Sequence, residues 1–128
     1  MSNWTHAVGI IRLDAIRLDD EIPDFDEIIG KECLFESPIE VWNDCEKHPE
    51  KYLPMGSEGS LQKSVWVNPN TSCMAAYTVS IFGDLRDHDD PQEIVDWFEE
   101  LCVGLPVRNA VITVRNECNG TVNFVYRG

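Results

Sequence analysis

"LQKSVWVNPNTSCMAAYTVSIFG", residues 61–83, reads as two strands and the turn that joins them. Leu61, Lys63, Val65 and Val67 alternate with Gln62, Ser64 and Trp66, so an extended chain puts one set on each face. The turn falls at 68–72, and the second strand returns with Tyr77, Val79 and Ile81 aligned. A hairpin in mid-chain becomes part of an α+β fold once helices are found on both sides of it.

Both helices announce themselves by their starts. Asp90-Pro91-Gln92-Glu93 offers a capping side chain, a proline at the first helical position and an acid three residues after the cap. Ile94, Trp97, Phe98, Leu101 and Cys102 then share one helical face, and Gly104 and Pro106 end the segment. Upstream, Ser37-Pro38-Ile39-Glu40 repeats the pattern with Ser37 as the expected cap, and Pro49 is expected to break that helix. A shorter helical turn is predicted to end at Gly30.

The chain ends supply the remaining strands. In residues 4–18, Ala7, Gly9, Ile11, Leu13 and Ala15 recur at every second place, opposite Arg12 and Asp14. Residues 107–116 and 121–127 form a last hairpin, with Asn119-Gly120 as its turn signal. The predicted order is β-α-β-β-α-β-β. It implies an α+β fold: one mostly antiparallel sheet with two helices on one face, ferredoxin-like with an added edge strand. Residues 1–128 are expected to form one domain, with an acidic irregular and helical segment at 19–60.

Charge is the strongest compositional signal. The net charge is −13, and residues 19–60 carry 13 acidic against 3 basic side chains. Such a surface repels nucleic acid and anionic membrane and attracts basic partners, although solubility alone also rewards it. Five cysteines, with no Cys-x-x-Cys pair, are expected to be reduced thiols. The start Met1-Ser2-Asn3-Trp4 lacks a basic, apolar leader, and no apolar run approaches the ~20 residues of a membrane span, so a cytoplasmic location is predicted.

Few residues suggest catalysis. Asp84, Asp87 and Asp89 are candidate ligands for a divalent cation, weighed against the plainer reading of a helix cap and a solvated loop. Calcium-loop spacing fails from Asp84, because Asp89 stands where glycine is needed and Val95 where glutamate is needed. "GSEGS", residues 56–60, has no Gly-Lys-Ser/Thr ending and reads as a mobile loop. No Ser-His-Asp or Cys-His set is readable, so neither an enzyme nor a cofactor is predicted.

The acids on the two helices are more informative. Asp96 and Glu100 are like charges one turn apart, which costs ~0.2–0.5 kcal/mol, and Glu99 and Glu100 sit at the negative end of the helix dipole. Together with Glu36, Glu40, Asp44 and Glu46 they form the predicted partner-binding surface. By analogy of size and charge with phage anti-defence proteins and bacterial immunity proteins, the expected function is inhibition of a basic, nucleic-acid-binding protein by nucleic-acid mimicry. No direct nucleic-acid or membrane contact is expected, and the protein is expected to be a monomer or a homodimer. The alternative is a module that sequesters a small molecule, a signal nucleotide or a metal, with residues 56–60 as a lid. That reading requires the six arginines (Arg12, Arg17, Arg86, Arg108, Arg115 and Arg127) to cluster.

Overall fold

The computed structural model describes residues 2–15, 22–71 and 74–128. Residues 16–18 of the predicted first strand, the acids Asp19 to Glu21, and Cys73 lie outside that range. Strand β1 (Trp4–Leu13) is followed by α1 (Phe25–Ile28), α2 (Ile39–Lys47) and a 3-10 turn (Pro49–Lys51). Then come β2 (Gln62–Val67), β3 (Tyr77–Arg86), α3 (Pro91–Val103), β4 (Val107–Asn116) and β5 (Gly120–Arg127). The five strands form one sheet in the order β2-β3-β1-β4-β5, antiparallel throughout, so the fold is α+β.

The period-2 pattern decides which face is covered. Ala7, Ile11 and Leu13 of β1 are buried beside Tyr77, Val79, Ile81 and Leu85 of β3 and Ala110, Ile112 and Val114 of β4. Helix α3 closes this face over β4 and β5 through Ile94, Phe98 and Cys102, with the Phe98 ring edge-on to Phe124 at 6.3 Å. On the other half Phe25 of α1 meets Tyr77 edge-on at 5.6 Å, and Ile29, Leu53 and Leu61 fill in around it. Helix α2 contributes instead to a separate small cluster of Cys33, Cys45 and Tyr52, flanked by Val41, Trp42 and Met55. Among the described residues nothing comparable covers the second face of the sheet, where Val8, Ile10, Trp66, Phe82, Val111 and Val125 remain exposed.

Three local expectations need correction. Ser37 does not cap α2; its hydroxyl accepts the N–H of Leu34 at 2.9 Å, and the extended Pro38 (φ −59°, ψ 157°) starts the helix one residue later. Strand β3 runs through Asp84 to Arg86 rather than ending at Gly83. The segment 56–60 is not a free loop or lid. Ser57 N–H donates to Arg86 O and Arg86 N–H donates to Glu58 O, both at 2.9 Å, which pins it to the end of β3.

Glycine is what allows this pinning. A Cβ at Gly56 would lie 2.2 Å from Arg86 O, and one at Gly59 would lie 2.2 Å from Asp84 O. Backbone approaches backbone too closely here for any side chain.

A buried polar knot holds the same end of the sheet to α3. The Asn116 side-chain amide donates to Thr5 Oγ1 at 3.0 Å and to His88 O at 3.1 Å, while its oxygen accepts the N–H groups of Cys118 and Asn119. Thr5 also donates to His88 O. The turn 87–90, and with it the start of α3, is thereby anchored to β1 and β4. Asp90 completes that start by accepting Gln92 N–H at 3.0 Å, as its capping position predicts.

Candidate functional site

The predicted metal ligands are not brought together. Asp84 faces the uncovered side of the sheet, where its carboxylate bonds His6 Nδ1 at 2.6 Å. Asp87 sits in the following turn with φ 57° and accepts the Ser57 hydroxyl at 2.8 Å. Asp89 is exposed, and among the described residues no group of three or more His, Cys, Asp or Glu converges on a cation position. The reason is strand geometry: extending β3 fixes Asp84 on the outward face of the sheet, opposite His6, while Asp87 and Asp89 lie in the turn that follows.

His6 bridges two acids, because its Nε2 also lies 3.2 Å from Glu117 Oε2. The bonds to Asp84 and Glu117 raise its pKa above 6.5, and the bond from His6 in turn lowers that of Glu117. Both ring nitrogens face carboxylates, an arrangement that favours the protonated ring and ties His6 to structure.

The buried thiols are equally unreactive. Burial pushes Cys33 and Cys45 upward, and it pushes Cys102 to about 11, so all three stay protonated near neutrality. Cys45 Sγ donates to Met55 Sδ at 3.0 Å inside the α2 cluster.

The seven predicted partner-binding acids divide between two helices. Glu36, Glu40 and Glu46 stand exposed before and along α2, while Asp96, Glu99 and Glu100 stand exposed on the outer face of α3. None of these six forms an ion pair with a described cation. Asp96 accepts the Gln92 amide at 2.9 Å. Asp44 differs: half-buried, it accepts the Tyr52 hydroxyl at 2.7 Å, which lowers the Asp44 pKa and pushes that of Tyr52 up to about 12. Asp44 therefore holds the 3-10 turn against α2 and offers a partner less than its neighbours do.

Other acids are neutralised internally. Lys63 Nζ meets Asp26 at 2.6 Å and Glu32 at 3.5 Å, Arg86 meets Glu58 at 3.0 Å, and Arg108 meets Asp14 at 3.6 Å. Among the described residues, Glu36, Glu40 and Glu46 beside and along α2 and Asp96, Glu99 and Glu100 on α3 keep carboxylates without an internal cation.

A basic group forms on the other face of the sheet. Three of the arginines, Arg12, Arg108 and Arg127, come together on the uncovered sheet face, around an open groove of about 700 Å³ floored by Ile10 and Val111. Sequence reading named these residues but could not assemble them, since they lie on β1, β4 and β5, far apart along the chain. Arg12 and Arg127 fall at outward positions of their strands, which was the available signal, whereas Arg108 is the extra residue where β1 and β4 shift register.

A second groove, of about 640 Å³, runs between Phe35 and Trp42 on one side and Arg86 and Asp87 on the other. Among the described residues no helix is long and apolar enough to cross a membrane. The chain matches no known family model, no curated protein sequence and no solved structure.

Proposed function

We propose that the protein is a non-enzymatic binder whose helical layer occupies a basic surface on a partner protein, of the kind that otherwise grips nucleic acid. The observation that supports this reading is the unpaired state of Glu36, Glu40, Glu46, Asp96, Glu99 and Glu100 beside acids that do find internal cations. A helix under selection for stability alone would carry lysine or arginine near its C-terminus; α3 has no basic residue in its last turn. Exposed carboxylates on two rigid helices can satisfy guanidinium and ammonium groups that normally contact phosphates. Their long-range field would also speed encounter by roughly 10 to 10³-fold at low ionic strength.

Affinity capture from source-cell extract, at about 50 mM and about 500 mM salt, tests the reading, because screening shortens from roughly 14 Å to 4 Å over that range. The expected result is a basic protein retained at low salt and released at high salt. Asp96→Lys/Glu99→Lys/Glu100→Lys should abolish retention while leaving the circular dichroism spectrum unchanged. Retention that survives this charge reversal, and a second reversal at Glu36 and Glu40, would remove the helical layer from the interface.

A further inference from the structure

We propose that the uncovered sheet face is a binding site for a nucleoside phosphate, with its phosphates on Arg12, Arg108 and Arg127 and its base on Ile10 and Val111. The site lies on the opposite face of the sheet from α3 and does not depend on the acidic helices.

Register places the charged groups. Arg12 of β1 stands opposite Asn109 of β4, and Asn109 stands opposite Arg127 of β5, so the two arginines flank an amide on the same face. Two strand spacings separate their backbones, roughly 10 Å, a gap that long guanidinium side chains close onto a shared anion. Arg108 lines the same groove.

The charge balance of the chain makes this grouping informative. Acidic residues outnumber lysine and arginine 23 to 10, yet Arg12 and Arg127 form no ion pair among the described residues. The carboxylate in the groove, Asp14, lies 3.6 Å from Arg108 and is already engaged by the Ala75 N–H at 2.8 Å. Two guanidiniums without an ion-pair partner among the described residues, with a third beside them, form a site for an external dianion or polyanion. Bidentate guanidinium geometry suits phosphate.

The floor selects the rest of the ligand. Ile10 and Val111 are cross-strand neighbours, both 40 % exposed. They form a flat apolar step beside the arginines, against which a planar base can lie. Asn109 adds an amide able to bond a base edge or a ribose hydroxyl. At about 700 Å³ the groove lies within the usual size range for small ligands and fits one nucleotide.

Calorimetry and thermal unfolding of the full chain with ATP, inorganic triphosphate and adenosine test the assignment. The expected order is ATP tightest, triphosphate weaker and adenosine without effect, with ATP raising the melting temperature by mass action. Arg12→Gln/Arg127→Gln should weaken ATP binding at least about tenfold, as loss of charge-assisted bonds implies. Arg115→Gln, at the far end of the same face, should leave it unchanged. If the double variant is misfolded by circular dichroism, Val111→Glu tests the groove independently and should also lose ATP.

Several results would overturn the proposal. No ATP binding would do so, and so would equal losses in the Arg115 and Arg12/Arg127 variants. Tighter binding of oligothymidylate than of ATP would assign the face to a nucleic-acid strand instead. A dimer by sedimentation that Arg12→Gln/Arg127→Gln dissociates would assign it to a second copy of the chain.

Discussion

Replacing Lys63 by methionine measures how the acidic segment is held to the sheet. The Lys63 side chain is only 7 % exposed, and its ammonium donates to Asp26 at 2.6 Å and to the Gly30 carbonyl at 2.8 Å, with Glu32 at 3.5 Å. Methionine keeps the buried stem and loses the charge. The three contacts are not equal in worth. Asp26 is 62 % exposed and rehydrates on losing its partner, so that pair is worth at most about 1 kcal/mol. Glu32 is 25 % exposed but keeps the Lys63 backbone N–H at 3.1 Å, which limits its loss to about 1 kcal/mol. The Gly30 carbonyl loses a charged donor, another 1 kcal/mol or so. Relief from holding a nearly buried ammonium offsets about 1 kcal/mol of the total. The net expectation is a loss of about 2 kcal/mol, or a fall in melting temperature of roughly 8 °C for a domain of this size. Urea unfolding followed by tryptophan fluorescence would show a lower midpoint with an unchanged slope. A loss below about 0.5 kcal/mol would mean that Phe25, Ile29 and Leu53 dock the segment alone and that the Lys63 contacts are incidental.

Two further outcomes follow from the geometry. His6, held protonated by Asp84 and Glu117, contributes stability that is fully present below its ordinary value of 6.5 and is lost as pH rises through its raised folded value. Glu117, shifted down, contributes stability present above its ordinary value of 4.5 and lost as pH falls through its lowered folded value. His6→Gln should therefore flatten the curve of melting temperature against pH on both flanks; parallel curves for the two proteins would show no such linkage. Gly59→Ala combines φ +87° with a Cβ 2.2 Å from a backbone oxygen and should cost about 3 kcal/mol or more by urea unfolding. Gly104→Ala, with φ −83° and nothing nearer than 3.8 Å, should change stability by no more than about 1 kcal/mol, and similar midpoints for the two alanine variants would contradict the close packing of residues 56–60.

What could be read from the chain was whatever depends on local periodicity and caps. The alternation of Ala7, Ile11 and Leu13 marked the covered face of β1, and Asp90-Pro91 marked the start of α3 within a residue. The Asn119-Gly120 turn fell where expected, with Gly120 at φ +96°. Contacts between remote backbones left weaker traces. "GSEGS" has the composition of a mobile tether, and only the need for two glycines hinted that it lies flat on β3. Gly83 looked like the end of a strand because it breaks the apolar alternation, yet Leu85 resumes it and is fully buried. Ser37 carried every mark of a helix cap, but a hydroxyl can serve the turn before a helix as well as the helix after it, and here Leu34 claims it. The arginine groove required strand order, because only when β1, β4 and β5 become neighbours do residues 12, 108 and 127 meet.

The two borders of the sheet are unlike. Along β3 beyond Phe82, the row of backbone groups that would greet a foreign strand is already met by residues 57–58, and short β2 has its Lys63 N–H taken by Glu32. The outer border of β5 is eight residues long and pairs with no described strand. A molecule guarded on one border and open on the other can join one neighbour through the open side, and the pair so made has no second joint from which to extend. Lateral growth of the sheet, if it starts, stops at two.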